Sequence, residues 1–267
     1  MTAAAPAWVA TARAQARRPP RAPRLPLRVA GRAVGSVEEG VLNQIGLQPL
    51  WAMRWQLLKK ESAWHLDGPG DPTPALNALA QALRTAGRCG PWRNEQLAVC
   101  SIEGERVGII ERGAVRPLGL ATQAVHLVAS APDGRMWVQQ RAFDKPNNPG
   151  QWDTLMGGMV SAADSLREAL ARETWEEAGL RVDALQGVAH GGHVDFAQPS
   201  DEADGCGYMV ERIDWFRATV PEGVEPANQD GEVACFELLA RDALLERLAA
   251  GAFTPEAALI LAAALGW

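Results

Sequence analysis

Tyrosine occurs once in this chain, and histidine and cysteine four times each. The cysteines, Cys89, Cys100, Cys206 and Cys235, lie far apart and form no C-x-x-C pair. That spacing argues against a structural zinc site and reads instead as buried, reduced thiols of a cytoplasmic protein. No apolar run approaches the roughly 20 residues that cross a bilayer. The apolar tail AALILAAALGW is too short for that and reads as a core helix, and no secretory h-region is present. Acidic residues are missing before Glu38, whereas Arg13, Arg17, Arg18, Arg21, Arg24, Arg28 and Arg32 precede it. An Arg-rich, acid-poor start suits an organelle transit segment or an amphipathic first helix ended by Pro19-Pro20. Ala/Arg-rich usage runs through the whole chain, so we take the helix and assign it to an N-terminal domain. A net charge of −6 gives no general reason to expect nucleic-acid binding. With 47% hydrophobic and 22% charged residues, the composition is that of an ordinary globular protein. His190 and His193 form an H-x-x-H pair with no third partner, which reads as structural or solvent-facing rather than metal-binding. Ten tryptophans carry most of the aromatic content. Those such as Trp51, Trp55 and Trp64 are expected in cores or interfaces, and one indole is a candidate to stack on a flat cationic ring.

What the chain does contain is concentrated between Gly158 and Leu180, in GMVSAADSLREALARETWEEAGL. Glu173, Glu176 and Glu177 stand three and four residues apart, which on an α-helix places them within an arc of roughly 100°. Like charges at this spacing repel by about a few tenths of a kcal/mol per pair, and the helix C-terminus disfavours negative charge further. A bound divalent cation offsets both costs, and Mg²⁺ prefers carboxylate oxygens and often arrives with phosphate. Ser161 and Asp164 read as a capping box, Leu166 and Leu170 as a core-facing stripe, and Gly179 as the left-handed residue that ends the helix. Gly157 and Gly158 suit a tight turn or close approach to a ligand.

This stretch resembles the Nudix box, with Gly158, Asp164, Arg172, Glu173, Thr174, Glu176, Glu177, Gly179 and Leu180 at the patterned positions. Asp164 replaces a glutamate, and being one methylene shorter it is expected to reach Arg172 less easily. Thr174 replaces an aliphatic residue. The segment PLGLATQAVHLVASAPDGRMWVQQRAFDKPNNPGQWDTLMGG, from Pro117 to Gly158, is similar to a Nudix subfamily related to the hydrolase domain fused to some fungal thiamin pyrophosphokinases, which carries its own N-terminal domain. The resemblance implies a Mg²⁺-dependent diphosphohydrolase, Mn²⁺ being a substitute, with Glu173, Glu176 and Glu177 as metal ligands. Glu173 is the leading group to orient or deprotonate water, and Arg172 is its neighbour in the box. A further acid comes from a downstream loop, either Asp230 and Glu232 or the competing Asp201, Glu202 and Asp204. Arg141 and Lys145 are candidate phosphate ligands beside Gly157 and Gly158. The implied substrate is a small-molecule diphosphate, thiamin diphosphate or its oxidised forms, cut to the monophosphate by a monomer or homodimer. Alternatives are a nucleoside diphosphate derivative such as ADP-ribose or a dinucleotide, and a non-catalytic metabolite sensor. An isopentenyl diphosphate isomerase needs a cysteine after the Gly pair, and none stands between Gly157 and Gly205.

Two regions are expected: residues 1–115 as a small α+β accessory domain, and 116–267 as a Nudix α/β/α sandwich with a mixed sheet. In the first, strands are expected at 27–29, 33–37, 96–101 and 106–111, with helices at 41–45 and 74–86. In the second, strands are expected at 123–130, 135–141, 185–194, 208–218 and 233–238. Residues 151–156 lead into the box helix, and helices at 240–250 and 254–265 close the chain.

Overall fold

The computed structural model describes residues 4–267. Helix α1 (Ala7–Ala16) precedes a four-stranded sheet of β1 (Arg24–Val29), β2 (Arg32–Glu38), β3 (Gln56–Lys60) and β4 (Ala63–Asp67), with α2 (Gln48–Ala52) between β2 and β3. Its order is β2-β1-β4-β3, with β1 and β4 parallel and the other pairs antiparallel. The β1–β2 turn places both Ala30 and Gly31 at positive φ (48° and 79°), the twist that a tight hairpin requires. The segment expected as a helix at 41–45 is a short 3₁₀ turn, Val41–Gln44. Strand β3 carries no alternating apolar pattern, being an edge strand whose Leu58, Lys59 and Lys60 face solvent, while β4 alternates through buried Trp64 and Leu66 over only five residues.

Helix α3 (Thr73–Thr85) has Pro74 in its first turn and buries Ala75, Leu76, Leu79, Ala80 and Leu83 against the hairpin β5 (Gln96–Cys100) and β6 (Arg106–Glu111). The i, i+3, i+4 spacing of these residues is what pins α3 to the sheet. This first core does not stop at the expected boundary, because it also includes Leu118, Leu120, Met159, Ala203 and Cys206. Arg24 stitches the junction through bonds to the carbonyls of Pro117 (2.8 Å), Cys206 (2.6 Å) and Ser36 (2.5 Å). Gly35 lies so close to the chain at Leu118 that a β-carbon there would stand 2.5 Å from the Leu118 carbonyl oxygen.

The second region is a seven-stranded mixed sheet. Its main order is β11-β12-β7-β8-β13, built from β7 (Ala121–Ser130), β8 (Met136–Arg141), β11 (Gln186–Ser200), β12 (Gly207–Thr219) and β13 (Val233–Leu239). Short β9 (Trp152–Asp153) pairs with β8, and β10 (Met156–Met159) pairs with β7. Strands β7 and β12 are parallel and the remaining pairs antiparallel. Alternation along β7 divides the two layers. Val125, Leu127 and Ala129 face α4 (Leu166–Ala178), while Ala124 and Val128 face α5 (Arg241–Ala249) and α6 (Pro255–Ala264). That period of two produces the sandwich: each face of the strand feeds a separate core.

Three local readings are corrected. Helix α1 does not join the first region. It rests on α6 and β11, with Trp8 edge-on to Trp267 at 6.2 Å, because its Trp8, Ala12 and Ala16 find apolar partners in the second core. The cap of α4 is Ser165 with Glu168, not Ser161 with Asp164, because the Asp164 carboxylate is engaged by Arg172. The cysteines are unpaired, but of the four only Cys206 is buried; Cys89 and Cys100 are partly buried, and Cys235 is exposed, since β13 runs along a sheet edge. Thr174, the non-aliphatic box residue, is fully buried, and its hydroxyl donates to the Leu170 carbonyl at 2.6 Å. The back-bond lets a polar side chain occupy an apolar site without an orphaned hydroxyl.

Candidate active site

A cleft of about 550 Å³ opens where α4, β7, β8, β10, the far end of the β11–β12 hairpin and the start of α6 converge. Glu173 and Glu177, one helical turn apart, both line it. Glu176 does not: it sits about 100° round the helix from its neighbour, its side chain is 43% exposed, and it accepts from Arg172 at 3.0 Å. The Glu173 side chain is only 13% exposed.

Strand β10 explains why two glycines precede the helix. Gly157 and Gly158 are in extended strand, paired across from His126 and Val125, not in a tight turn. What requires them is the protein's own side chains. A β-carbon on Gly158 would stand 2.0 Å from the Glu173 carboxyl carbon, and one on Gly157 would stand 2.3 Å from the His126 ring. The Gly157 backbone N–H (3.0 Å) and the Gln139 side-chain amide (2.9 Å) donate to Oε2 of Glu177. Both bonds fall on one oxygen, so Oε1 is left for another partner.

Arg172 holds Glu173 from behind. One guanidinium nitrogen donates to Glu173 at 2.8 Å, and two others reach a single oxygen of Asp164 at 2.9 and 2.8 Å. The shorter acid therefore does reach Arg172, because it sits in the loop before α4 and the backbone closes the gap. It presents one oxygen where a two-oxygen fork would be stronger. Arg172 does not line the cleft, so its part is to position Glu173.

Burial pushes the Glu173 carboxyl up to about 7, although Arg172 beside it pulls the other way. Burial also pushes Glu177 up to about 8 against the stabilising bonds from Gly157 and Gln139. Such carboxyls favour a proton over a bare charge unless a cation replaces it.

Arg141 and Lys145 line the same cleft as Glu173 and Glu177. Arg141 lies 3.7 Å from Asp153 and donates to the Asn147 carbonyl. Lys145 is ion-paired with Glu232, which also lines the cleft. Asp230 is a correction: it is exposed, stands off the cleft wall and accepts from the Glu232 backbone N–H at 2.8 Å, so it shapes the turn rather than facing substrate. Among the competing acids, Asp201 and Glu202 line the cleft, while Asp204 turns away to Arg88 at 3.3 Å. The sequence reading missed His126, Gln139, Asp153, Glu211 and Glu256. Four of these sit in strands among apolar neighbours, where spacing carries no chemical signal. The other, Glu256, follows Thr254-Pro255, an ordinary helix start.

No tryptophan lines the cleft among the described residues. Trp55 and Trp64 are buried in the first core and Trp215 in the second, so the expected aromatic wall is absent there. His190 bonds Asp214 at 2.8 Å and packs edge-on to Phe216 at 5.3 Å, a structural arrangement.

Among the described residues no three His, Cys, Asp or Glu side chains already stand together as a ligand set. The donor chemistry nonetheless suits Mg²⁺, which typically keeps several waters and takes one or two protein carboxylates. Glu173 and Glu177 supply hard oxygens in a sheltered site, with Glu177 Oε1 unbonded. A pH dependence follows. Carboxyls raised above their ordinary 4.5 bind protons more tightly when folded, so their contribution is full below about 4.5 and is lost as pH rises through about 7 and 8. Buried His126, whose pKa is lowered by burial, gives the opposite slope only below its ordinary 6.5. In EDTA the melting temperature should therefore fall between about pH 6.5 and 8.5, and Mg²⁺ should restore it increasingly as pH rises. A Mg²⁺-independent melting temperature at the alkaline end would contradict the assignment.

Comparison with known proteins bears on the same residues. The model for the family described as "NUDIX domain" matches residues 120–259. "Nudix hydrolase 24, chloroplastic" of Arabidopsis thaliana is 30% identical over 181 residues, covering 65% of this chain and 48% of that protein. "Isopentenyl-diphosphate Delta-isomerase" of Leifsonia xyli subsp. xyli is 33% identical over 167 residues, covering 60% of this chain and 86% of that one. The solved structure of DR0079 from Deinococcus radiodurans superposes with a TM-score of 0.49 at 24% identity, covering 63% of this chain and 97% of that chain. The match spans about half the length of the first curated relatives, 48%, 53% and 54%. Among the described residues, no helix is long and apolar enough to cross a membrane.

Proposed function

This chain belongs to the Nudix family, and from that premise we propose that it is a Mg²⁺-dependent hydrolase of a small-molecule diphosphate. The observation that carries the reading is the pairing of Glu173 and Glu177, one turn apart on α4, across a cleft that also holds Arg141 and Lys145. Glu173 and Glu177 would hold the cation, with Glu176 more remote. When bound, Mg²⁺ neutralises phosphate oxygens and lowers the pKa of water. Arg141 and Lys145 would grip phosphate, at the cost of releasing Asp153 and Glu232. Arg172 and Gly158 fix where the Glu173 carboxylate sits. Little covalent work is required of the protein, since phosphoryl transfer depends mainly on position and charge.

For the substrate we keep thiamin diphosphate or its oxidised forms, on the similarity of residues 117–158 to the thiamin pyrophosphokinase-related subfamily. Residues 1–115, apart from α1, are then its accessory domain, and the protein acts in the cytoplasm as a monomer or homodimer. Likeness to an isomerase raises a second reading, but no cysteine lines the cleft among the described residues. A non-catalytic sensor is disfavoured because all three box glutamates are retained. A panel of thiamin diphosphate, its oxidised analogues, ADP-ribose and dinucleotides, with detection of released phosphate and monophosphate, tests the substrate. The expected result is fastest turnover of a thiamin-type diphosphate. Faster cleavage of ADP-ribose would end that choice while leaving the hydrolase reading intact.

A further inference from the structure

The carboxylates of the cleft divide by whether another residue holds them. Asp153 accepts from the Thr154 backbone N–H and the Thr254 hydroxyl. Glu211 is bound by Arg116 and Thr122, both at 2.8 Å. Glu173 and Glu177 are engaged as described, Asp201 pairs with Arg21, and Glu232 pairs with Lys145. Two remain with no hydrogen-bonded or ion-paired partner on another described residue, Glu202 and Glu256. They differ in setting. Glu202 is on the β11–β12 turn, with its carboxylate turned against Gly90 of the first region.

Glu256 stands in the first turn of α6, and its backbone is tied to the metal-side wall. The Thr254 N–H donates to the Trp152 carbonyl at 2.8 Å, and the Trp152 N–H donates to Ala252 at 3.0 Å. The Thr254 hydroxyl caps α6 by accepting from Ala257 and donates to Asp153 at 3.2 Å. Asp153 pairs in β9 with Gln139 of β8, whose amide holds Glu177. A short, fully bonded path therefore sets Glu256 relative to Glu177, while its own carboxyl lines the cleft, bonded to its own backbone N–H and to no other residue. A group that gives and takes a proton needs a fixed position and a carboxylate oxygen open to the water it serves.

We propose that Glu256 is the general base of the hydrolysis, an assignment that rests on the diphosphatase reading above. Its carboxylate accepts a proton from water as the water oxygen bonds to phosphorus. The bond from phosphorus to the bridging oxygen breaks, its electron pair leaving with the departing phosphate. The proton on Glu256 then passes to that product, and the carboxylate is restored. The facing charged groups are Asp153 on β9, Glu211 on β12 and Arg116 ahead of β7, with His126 and Arg141 in the same wall. Burial pushes the Glu256 carboxyl up to about 7 against the bond from its own backbone N–H, with Glu211 and Asp153 adding to the rise and Arg116 opposing it. A base must be unprotonated, so turnover rises with pH through that value and falls below it.

The test is the pH profile of kcat for wild type, Glu256→Gln and Glu256→Asp on a diphosphate the wild type cleaves, with Mn²⁺ affinity measured separately by electron paramagnetic resonance. The glutamine variant should lose about 10²–10⁴-fold in kcat. Its KM and Mn²⁺ affinity should stay near wild type, the acidic limb near pH 7 should vanish at saturating Mg²⁺, which keeps Glu173 and Glu177 unprotonated, and aspartate should recover part of the rate. A kcat for Glu256→Gln near that of wild type, or a parallel fall in Mn²⁺ affinity, would overturn the assignment alone. A wild type silent on every diphosphate would instead overturn the hydrolase reading, and this role with it.

Discussion

Replacing Glu177 with glutamine is expected to lower turnover by about 10³-fold, the several kcal/mol that a correctly held metal contributes to phosphoryl chemistry. The fold should survive. Glutamine has the same shape, and its amide oxygen can accept the bonds that Gly157 and Gln139 now give to Oε2. What it cannot supply is a negative oxygen in the position of Oε1. The variant should also lose the Mg²⁺-dependent rise in melting temperature while remaining more stable than wild type in EDTA near pH 8, because the strained buried charge is gone. Glu222→Gln, on an exposed turn, serves as the control and should change neither quantity. Kinetics and calorimetry on the three proteins decide it. Near wild-type turnover for Glu177→Gln would remove the metal site from this helix.

Gly158→Ala is expected to cost about 10²-fold or more in kcat, because misplacing a catalytic group by about 1 Å has that effect. The new β-carbon would stand 2.0 Å from the Glu173 carboxyl carbon and 2.4 Å from both its oxygens. These are the end of a flexible side chain, so the carboxylate moves and β10 keeps its pairing with β7. Gly158 is in extended strand, so alanine adds no backbone strain there. Melting temperature should therefore change by only a few degrees, roughly the effect of 1 kcal/mol or less. A fully active Gly158→Ala enzyme would show that Glu173 is not needed where it sits.

These two residues also mark how far the sequence could be read. The spacing of Glu173, Glu176 and Glu177 made the helix and its acidic face legible, since a period of 3.6 is written directly into residue order. It did not separate the two that face the cleft from Glu176, because that choice depends on where β10 passes. The Gly157-Gly158 pair signals close approach, but the approaching groups are His126 and Glu173, which only tertiary packing brings there. The strand alternation of β7 and the turn at Asp133-Gly134 were readable locally. The docking of α1 on α6 was not, because a helix with few buried residues carries no record of its partner. Asp230 and Glu232 looked equivalent in one loop, yet the turn at Gly231 sends one to solvent and the other to Lys145. Glu256 lies about 80 residues beyond the box, and its place in the cleft follows from the strand and cap bonds that anchor α6, which no local pattern encodes.

The central claim is that Glu173 and Glu177 together hold a divalent cation in the cleft. Anomalous scattering from a Mn²⁺-soaked crystal tests it directly. A peak is expected within bonding reach of Glu173 and of Glu177 Oε1, beside Gly158. A strong peak elsewhere in the molecule, with these two carboxylates unliganded, would contradict it.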